Sequence, residues 1–183
     1  MTDRLETENL ILRKARQEDL QDIWHNVWED VRLAENMLWT VTRTQQEAEE
    51  RIRRTMALQA QIPAFFVCRK EDDVPIGFAG VKEVEPGVYE DCGICIAVPW
   101  QNHGFGKEVT KALMSLVFDQ LDGRTFIYGC MRRNTRSAAV CRALGFVYAY
   151  SLEEVREWDG MPFTSDFYVM TKEEYRRLYG QSS

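Results

Sequence analysis

The sequence predicts a mixed α/β (α+β) fold, and three observations carry that reading. Short apolar runs of strand length alternate with longer stretches of helical periodicity. One of those runs, residues 88–98, leads straight into a glycine-bearing loop and then a helix. No repeat, low-complexity tract or Pro/Gly/Ser linker divides the 183 residues, so a single domain is expected over residues 5–179.

The elements follow in order. Residues 9–13, Asn-Leu-Ile-Leu-Arg, read as a first strand. Leu20, Ile23, Trp24, Val27, Trp28 and Val31 then share one face at helical spacing. Thr44 and Glu47 stand at capping-box spacing ahead of a second helix that carries Ala48, Ile52 and Met56. Residues 64–68 form a short apolar strand. Residues 76–84 and 88–98 form two longer ones, joined by a turn at Glu85-Pro86-Gly87.

Gln101-Asn-His-Gly-Phe-Gly106 opens a helix whose buried stripe is Val109, Ala112, Leu113, Leu116, Val117 and Leu121. A strand at 125–131 precedes a shorter helix at 134–144, closed by Gly145 where a left-handed cap residue belongs. Asp159-Gly160 is a hairpin signal between strand segments at 155–158 and 163–170.

Composition narrows the function classes. Hydrophobic residues at 45% and charged residues at 28% exclude a disordered or fibrous chain. The 23 basic against 29 acidic side chains give a net charge of −6, which argues against a nucleic-acid partner. No apolar run approaches the roughly 18 residues needed to cross a bilayer, and the N-terminus is polar without a signal-peptide core. Neither membrane nor secretion is therefore expected. Five cysteines, an odd number, do not read as a disulfide framework, so a cytoplasmic chain is the expectation.

The chemistry centres on the loop. Two glycines let the backbone approach a ligand closely, and the free N–H groups at a helix start favour an anion such as a pyrophosphate. Two better-known phosphate loops fail on inspection. A P-loop needs Ser or Thr after Gly106-Lys107, where Glu108 stands, and a first glycine where Gln101 stands. A dinucleotide fingerprint needs a third glycine where Val109 stands.

What survives is Gln/Arg-x-x-Gly-x-Gly/Ala, and with it the chain resembles the GCN5-related N-acetyltransferase (GNAT) superfamily. The resemblance covers nearly the whole sequence. Leu5-Glu-Thr-Glu-Asn-Leu-Ile-Leu-Arg13 with Asp19, and Met37-Leu-Trp39 followed by Thr44 and an acidic helix, are similar to the ribosomal-protein-alanine acetyltransferase (RimJ/RimL-like) branch. Asn134-Thr-Arg-Ser137 and Ala143-Leu-Gly-Phe146 match its later segments, with alanine replacing a lysine. Asp91-Cys-Gly-Ile94 departs from the branch's Glu-Ile-Gly-Tyr but keeps the acid and the glycine. The fold so implied has a mixed, mostly antiparallel central sheet of about seven strands, flanked by about four helices.

The resemblance implies an acetyl-CoA-dependent N-acetyltransferase that needs no metal. Acetyl-CoA would lie on Gln101, Asn102, His103, Gly104, Phe105, Gly106 and Lys107. Its pantetheine arm would pair near Ile96, Ala97 and Val98, with Asn134 and Ser137 completing the cofactor contacts. A backbone N–H of strand 88–98 would polarise the thioester carbonyl. A base must take the proton of the amine, and Glu90 and Asp91 are the candidates. Alternation turns them to opposite faces, and Glu90 is favoured as sharing a face with Ile94 and Ile96. The competing reading is that both acids merely end an exposed strand edge, with ordered water as the base. The tyrosine that many members use to protonate the thiolate is replaced by Cys141, so Ser137 is the expected donor, with Cys141 as an alternative.

Trp39 and Trp158 are candidate acceptor contacts, while Trp24 and Trp28 read as core. Cys92-Gly-Ile-Cys95 has no second pair at zinc spacing and is read as structural. The expected acceptor is an amine-bearing small molecule or a protein N-terminus, and the expected state is a monomer or homodimer. The alternative is a catalytically idle acyl-CoA-binding sensor of the same fold.

Overall fold

Eight strands make one mixed sheet in the computed structural model, which describes residues 2–180. They are β1 (Arg4–Glu6), β2 (Leu10–Arg13), β3 (Ala64–Arg69), β4 (Pro75–Glu85), β5 (Val88–Ile96), β6 (Thr125–Met131), β7 (Val147–Val155) and β8 (Pro162–Thr171). Their order is β1-β2-β3-β4-β5-β6-β8-β7. The β5–β6 pair is parallel, whereas β1–β2, β2–β3, β3–β4, β6–β8 and β7–β8 are antiparallel. Six helices accompany them: α1 (Leu20–Ile23), α2 (Val31–Ala34), α3 (Gln45–Gln59), α4 (Phe105–Ser115), α5 (Thr135–Ala143) and α6 (Lys172–Tyr179). The packing falls into two compact units, residues 2–82 with 92–112 and residues 83–91 with 113–180.

In the first unit, β1 is a strand that the sequence reading did not anticipate. Its three residues pair with β2 from Arg4↔Arg13 to Glu6↔Ile11. Beside it lies a buried ion pair. Arg13 donates to both carboxylate oxygens of Asp19 at 2.8 Å, and Asp73 accepts from Arg13 Nε at 2.7 Å. These acceptors push the Arg13 guanidinium further above its already high pKa.

The expected first helix is broken in two. After α1 the backbone makes a π-type turn over Trp24–Trp28, and Asp30 then caps α2 by accepting the Arg32 amide. The wider turn rotates the stripe, so Val27 and Trp28 are buried while Val31 is 55% exposed, contrary to its expected place on the buried face. The capping box forms as expected. Thr44 Oγ1 accepts from Glu47 N–H at 3.2 Å, and Glu47 Oε2 accepts from Thr44 N–H at 3.2 Å. Ala48 and Ile52 of α3 are buried, but Met56 drifts off the stripe and is exposed. They join Ile23, Val27, Trp28, Phe66, Cys68, Cys95 and Ala97 in one apolar cluster. Strand β5 ends at Ile96 rather than Val98, because Pro99 sits in a tight 3-10 turn over Val98–Trp100.

In the second unit, β6, β8 and β7 form an antiparallel run. Phe146 meets Phe126 edge-on at 5.5 Å and Tyr128 at 5.9 Å between ring centroids. Leu116, Val117 and Phe118, on a second π-type turn after α4, are buried. The hairpin strand expected at 155–158 is displaced. β7 covers Val147–Val155, and Trp158 lies in the turn at Asp159-Gly160. Helix α6 was also unanticipated, although Thr171 caps it by accepting the Glu174 amide at 3.2 Å.

Candidate functional site

The loop after β5 is built to present its backbone. Gln101 Nε2 donates to Ile96 O at 2.8 Å, and His103 Nδ1 lies 2.8 Å from Gln101 O, so the loop's first half is tied down by its own side chains. Asn102 and Gly104 both take left-handed backbone conformations, with φ of 67° and 83°. A Cβ at Gly104 would meet no atom within 4 Å, so open space lies where a ligand would approach. Phe105, stacked on His103 at 5.7 Å, starts α4, whose first amides have no intrahelical acceptor. Gly106 and Lys107 lie in that first turn, with Lys107 exposed. This donor-rich opening suits a phosphate.

Glu108 is not free to act there. It accepts from Thr7 Oγ1 at 2.5 Å, Asn9 N at 2.7 Å and Asn9 Nδ2 at 3.1 Å, which pins α4 to the β1–β2 connection. At the strand end, Ala97 N–H donates to Ile76 O at 2.7 Å, and Ala97 O accepts from Trp100 N–H at 2.9 Å. Its backbone is therefore engaged. The amide of Val98 has no acceptor among the described residues.

The two acids of β5 separate clearly. Asp91 Oδ2 accepts from Gly129 N–H at 2.7 Å, whereas the Glu90 carboxylate makes no hydrogen bond or ion pair among the described residues. Glu90 does not share a face with Ile94 and Ile96 by simple alternation. Gly93, with φ of 106°, interrupts the two-residue alternation between them. A Cβ there would crowd Phe78 Cε2 at 3.1 Å and Met37 Cε at 3.4 Å. Glu90 lies within electrostatic reach of Tyr150, whose phenol pKa is raised by burial first and then by the Glu90 charge.

Ser137 lies on α5, which Asn134 caps by accepting the Ser137 amide at 3.2 Å. Asn134 thus has a structural role of its own. Ser137 Oγ is 2.9 Å from the hydroxyl of Tyr128, a buried residue that the sequence reading passed over. Burial first, then the charges of Cys141 and Asp91, push the Tyr128 phenol well above its usual range. It therefore stays an O–H donor. Cys141 is fully buried with its pKa pushed up by that burial, which fits a packed thiol better than an acid. Cys92 and Cys95 are free cysteines, the first exposed and the second buried. No cluster of three or more potential metal ligands occurs among the described residues.

Of the two candidate acceptor contacts, Trp158 lies exposed at a hairpin tip, 5.4 Å from the Arg156 guanidinium. Trp39 is more deeply set. Its ring centroid is 4.5 Å from Arg51 Cζ, which also lies 4.8 Å from that of Trp28. Sequence reasoning missed Arg51, although a signal existed: it is a cation on the stripe of Ala48 and Ile52, inside a well-capped helix.

The acetyltransferase (GNAT) domain family model matches residues 9–147. The chain belongs to the GNAT acetyltransferase family. None of the curated proteins matches it significantly. Among solved structures, a GCN5-related N-acetyltransferase from Brucella melitensis superposes with a TM-score of 0.82 at 18% identity, covering 96% of this chain and 81% of that one. A protein provisionally named as a ribosomal-protein-serine acetyltransferase, from Vibrio cholerae, gives 0.78 at 21%, covering 93% and 99%. The microcin C7 self-immunity acetyltransferase MccE, solved with acetyl-CoA and AMP, gives 0.78 at 14%, covering 90% and 93%. At these identities the likeness is one of fold. The GNAT chain also has no helix, among its described residues, that is long and apolar enough to cross a membrane.

Proposed function

We propose that this chain transfers the acetyl group of acetyl-CoA to a primary amine, as a single domain over residues 5–179 in the RimJ/RimL-like branch. The observation that carries the reading is the loop Gln101–Gly106, with left-handed backbone at Asn102 and Gly104 and open space beside Gly104. Its amides and those opening α4 would hold the pyrophosphate of the cofactor. The Val98 amide would serve the pantetheine arm.

The amine nitrogen attacks the thioester carbonyl carbon, and the carbon–sulfur bond breaks. Glu90, whose carboxylate is free of hydrogen bonds among the described residues, accepts the amine's proton directly or through water. Ser137 donates to the departing thiolate. Tyr128, held in its neutral form by burial, would donate to Ser137 Oγ, and the serine would turn its proton from the neighbouring Cys130 thiol to the departing sulfur. Asp91 is committed to Gly129 and stands as a structural acid. Trp39 would contact the acceptor, a small-molecule amine or a protein N-terminus.

Two measurements test this reading. Acetyl-CoA should raise the melting temperature, and 3′,5′-ADP should compete with it, since the loop holds the phosphates. Free CoA thiol should then appear with an amine panel. Absence of any shift would remove the loop assignment. A shift without thiol release would return the chain to the sensor alternative.

A further inference from the structure

Arg51 is the least expected charge in the molecule. It projects from the middle of α3, half-buried, over the indoles of Trp28 and Trp39 at 4.8 and 4.5 Å. Such stacking uses the face of a guanidinium and leaves its edge, where N–H donors point outward in the plane. Of these donors one is used: Nη1 donates to Thr42 Oγ1 at 2.9 Å. Arg51 makes no ion pair among the described residues, unlike Arg54 one turn along, which pairs with Glu50. A cation placed this deep without a counter-charge is costly unless a ligand supplies one.

A second observation points the same way. Trp39 Nε1 is buried without an acceptor, on the very ring that Arg51 covers. Two kinds of unmatched donor, a guanidinium edge and an indole N–H, thus lie side by side. Both want an oxygen acceptor, and the guanidinium wants a negative one. The place lies beside the C-terminal half of β5. Arg51 is in electrostatic reach of Cys95, and Met37, two residues before Trp39, abuts Gly93 of the same strand.

We propose that Arg51 anchors a carboxylate of the acetyl acceptor, so that the acceptor is an amine that also carries a carboxylate. A single arginine edge matches a planar monoanion in bidentate fashion. A phosphate dianion would call for a second cation, and Arg54 is already paired. Arg51 would thus be a specificity-determining residue, and this deepens the proposed acetyl transfer and rests on it.

The test uses matched acceptors that differ only in carboxylate against carboxamide. One arm compares α-amino acids with their α-amides. The other compares C-amidated tripeptides that carry Glu or Gln after the N-terminal residue, so the source of the carboxylate is separated. The full chain should prefer the carboxylate member of at least one arm in kcat/KM. Arg51→Gln should collapse that preference by about 10–100-fold, mainly through KM, while acetyl-CoA affinity holds. Arg51→Lys keeps the charge without the fork and should restore part of the preference. Melting curves with acetyl-CoA confirm that both variants are folded.

Equal use of carboxylate and carboxamide by the parent chain would overturn the proposal. So would an equal loss on both in Arg51→Gln, or turnover of no panel member by a chain that binds acetyl-CoA. Those results would leave the acetyl-CoA assignment standing, whereas failure to bind acetyl-CoA at all would remove both.

Discussion

The Asp91 carboxylate accepts the Gly129 amide proton at 2.7 Å, one residue past Glu90 on β5 and two past Ile127 on β6, the pair that ends the parallel β5–β6 register. A side chain thus satisfies a backbone donor of β6 that a continued ladder would have used. This divides the labour between adjacent acids. Asp91 holds a strand, and Glu90 keeps its lone pairs for another task.

Glu90→Gln is therefore expected to change the pH profile. An α-amino group has a reference pKa of about 7.7–8.0 and a lysine amine about 10.4. Without the carboxylate the amine must arrive neutral, so kcat/KM should climb toward the amine's own pKa where the parent levels off earlier. Asp91→Asn retains an acceptor for Gly129 and should leave the profile unchanged. Asp91→Ala should instead destabilise the fold by about 1–3 kcal/mol, measured by urea unfolding. A steep profile in Asp91→Asn alone would reverse the assignment.

Ser137 and Tyr128 form a hydrogen-bonded pair at 2.9 Å. Ser137→Ala should lower kcat by about 10²–10⁴-fold, with a much smaller change in acetyl-CoA affinity, because a leaving-group donor acts in the transition state. Tyr128→Phe keeps the ring against Phe146 and removes only the hydroxyl. Its kcat should fall by less than that of Ser137→Ala, and the double variant should be no worse than the serine change alone. Additive losses in stopped-flow thiol release would mean that Tyr128 acts independently of Ser137.

The loop makes its own prediction. Gly104→Ala places a methyl group in open space on a left-handed backbone, so the folded state should lose only about 1–2 kcal/mol. Acetyl-CoA binding should weaken far more, as the methyl occupies the approach of the phosphates. Gly104→Asn, a residue that tolerates this backbone, should recover stability without recovering affinity. Calorimetric titration separates the two effects. Normal acetyl-CoA affinity in Gly104→Ala would disconnect the loop from the cofactor.

These sites were not equally legible in the sequence. The capping box at Thr44, the cap at Gly145 and the loop at 101–106 announce themselves because their signals are local and their residue types are few. Strand β1 has three residues and one buried side chain, and it exists through pairing with β2, which no local pattern reveals. Strand β7 lies at the sheet's edge, where Val147, Tyr148, Leu152 and Val155 are exposed, so it lacks the apolar alternation of a half-buried strand. The π-type turn at Trp24–Trp28 looks like ordinary helix until packing selects it. Helix α6 is different, for Thr171 and Glu174 stood at capping spacing and were readable. At the site, the left-handed Gly93 and the Tyr128–Ser137 contact are tertiary facts. Their residues carry no mark in the chain.

The buried thiols contribute to the response to alkali. Burial pushes Cys68 and Cys95 up to about 12, and both are almost wholly enclosed, with exposures of 0% and 4%. In the unfolded chain a thiol titrates near 8.5. Below that pH both states hold the proton, and the stabilisation that the buried neutral thiols confer is fully present. Above it the unfolded state sheds protons that the folded state retains. The thiols' contribution to stability then falls as pH rises, by up to about 1.4 kcal/mol per pH unit for each, until the folded values near 12 are reached. The Tyr128 phenol, raised well above its usual range, adds to the decline from about pH 10. Urea unfolding between pH 8 and 11 should show this loss, and Cys95→Ala should make its slope shallower even though a small cavity lowers stability at neutral pH. An unchanged slope in Cys95→Ala would mean that this thiol ionises in the folded chain as readily as in the unfolded one.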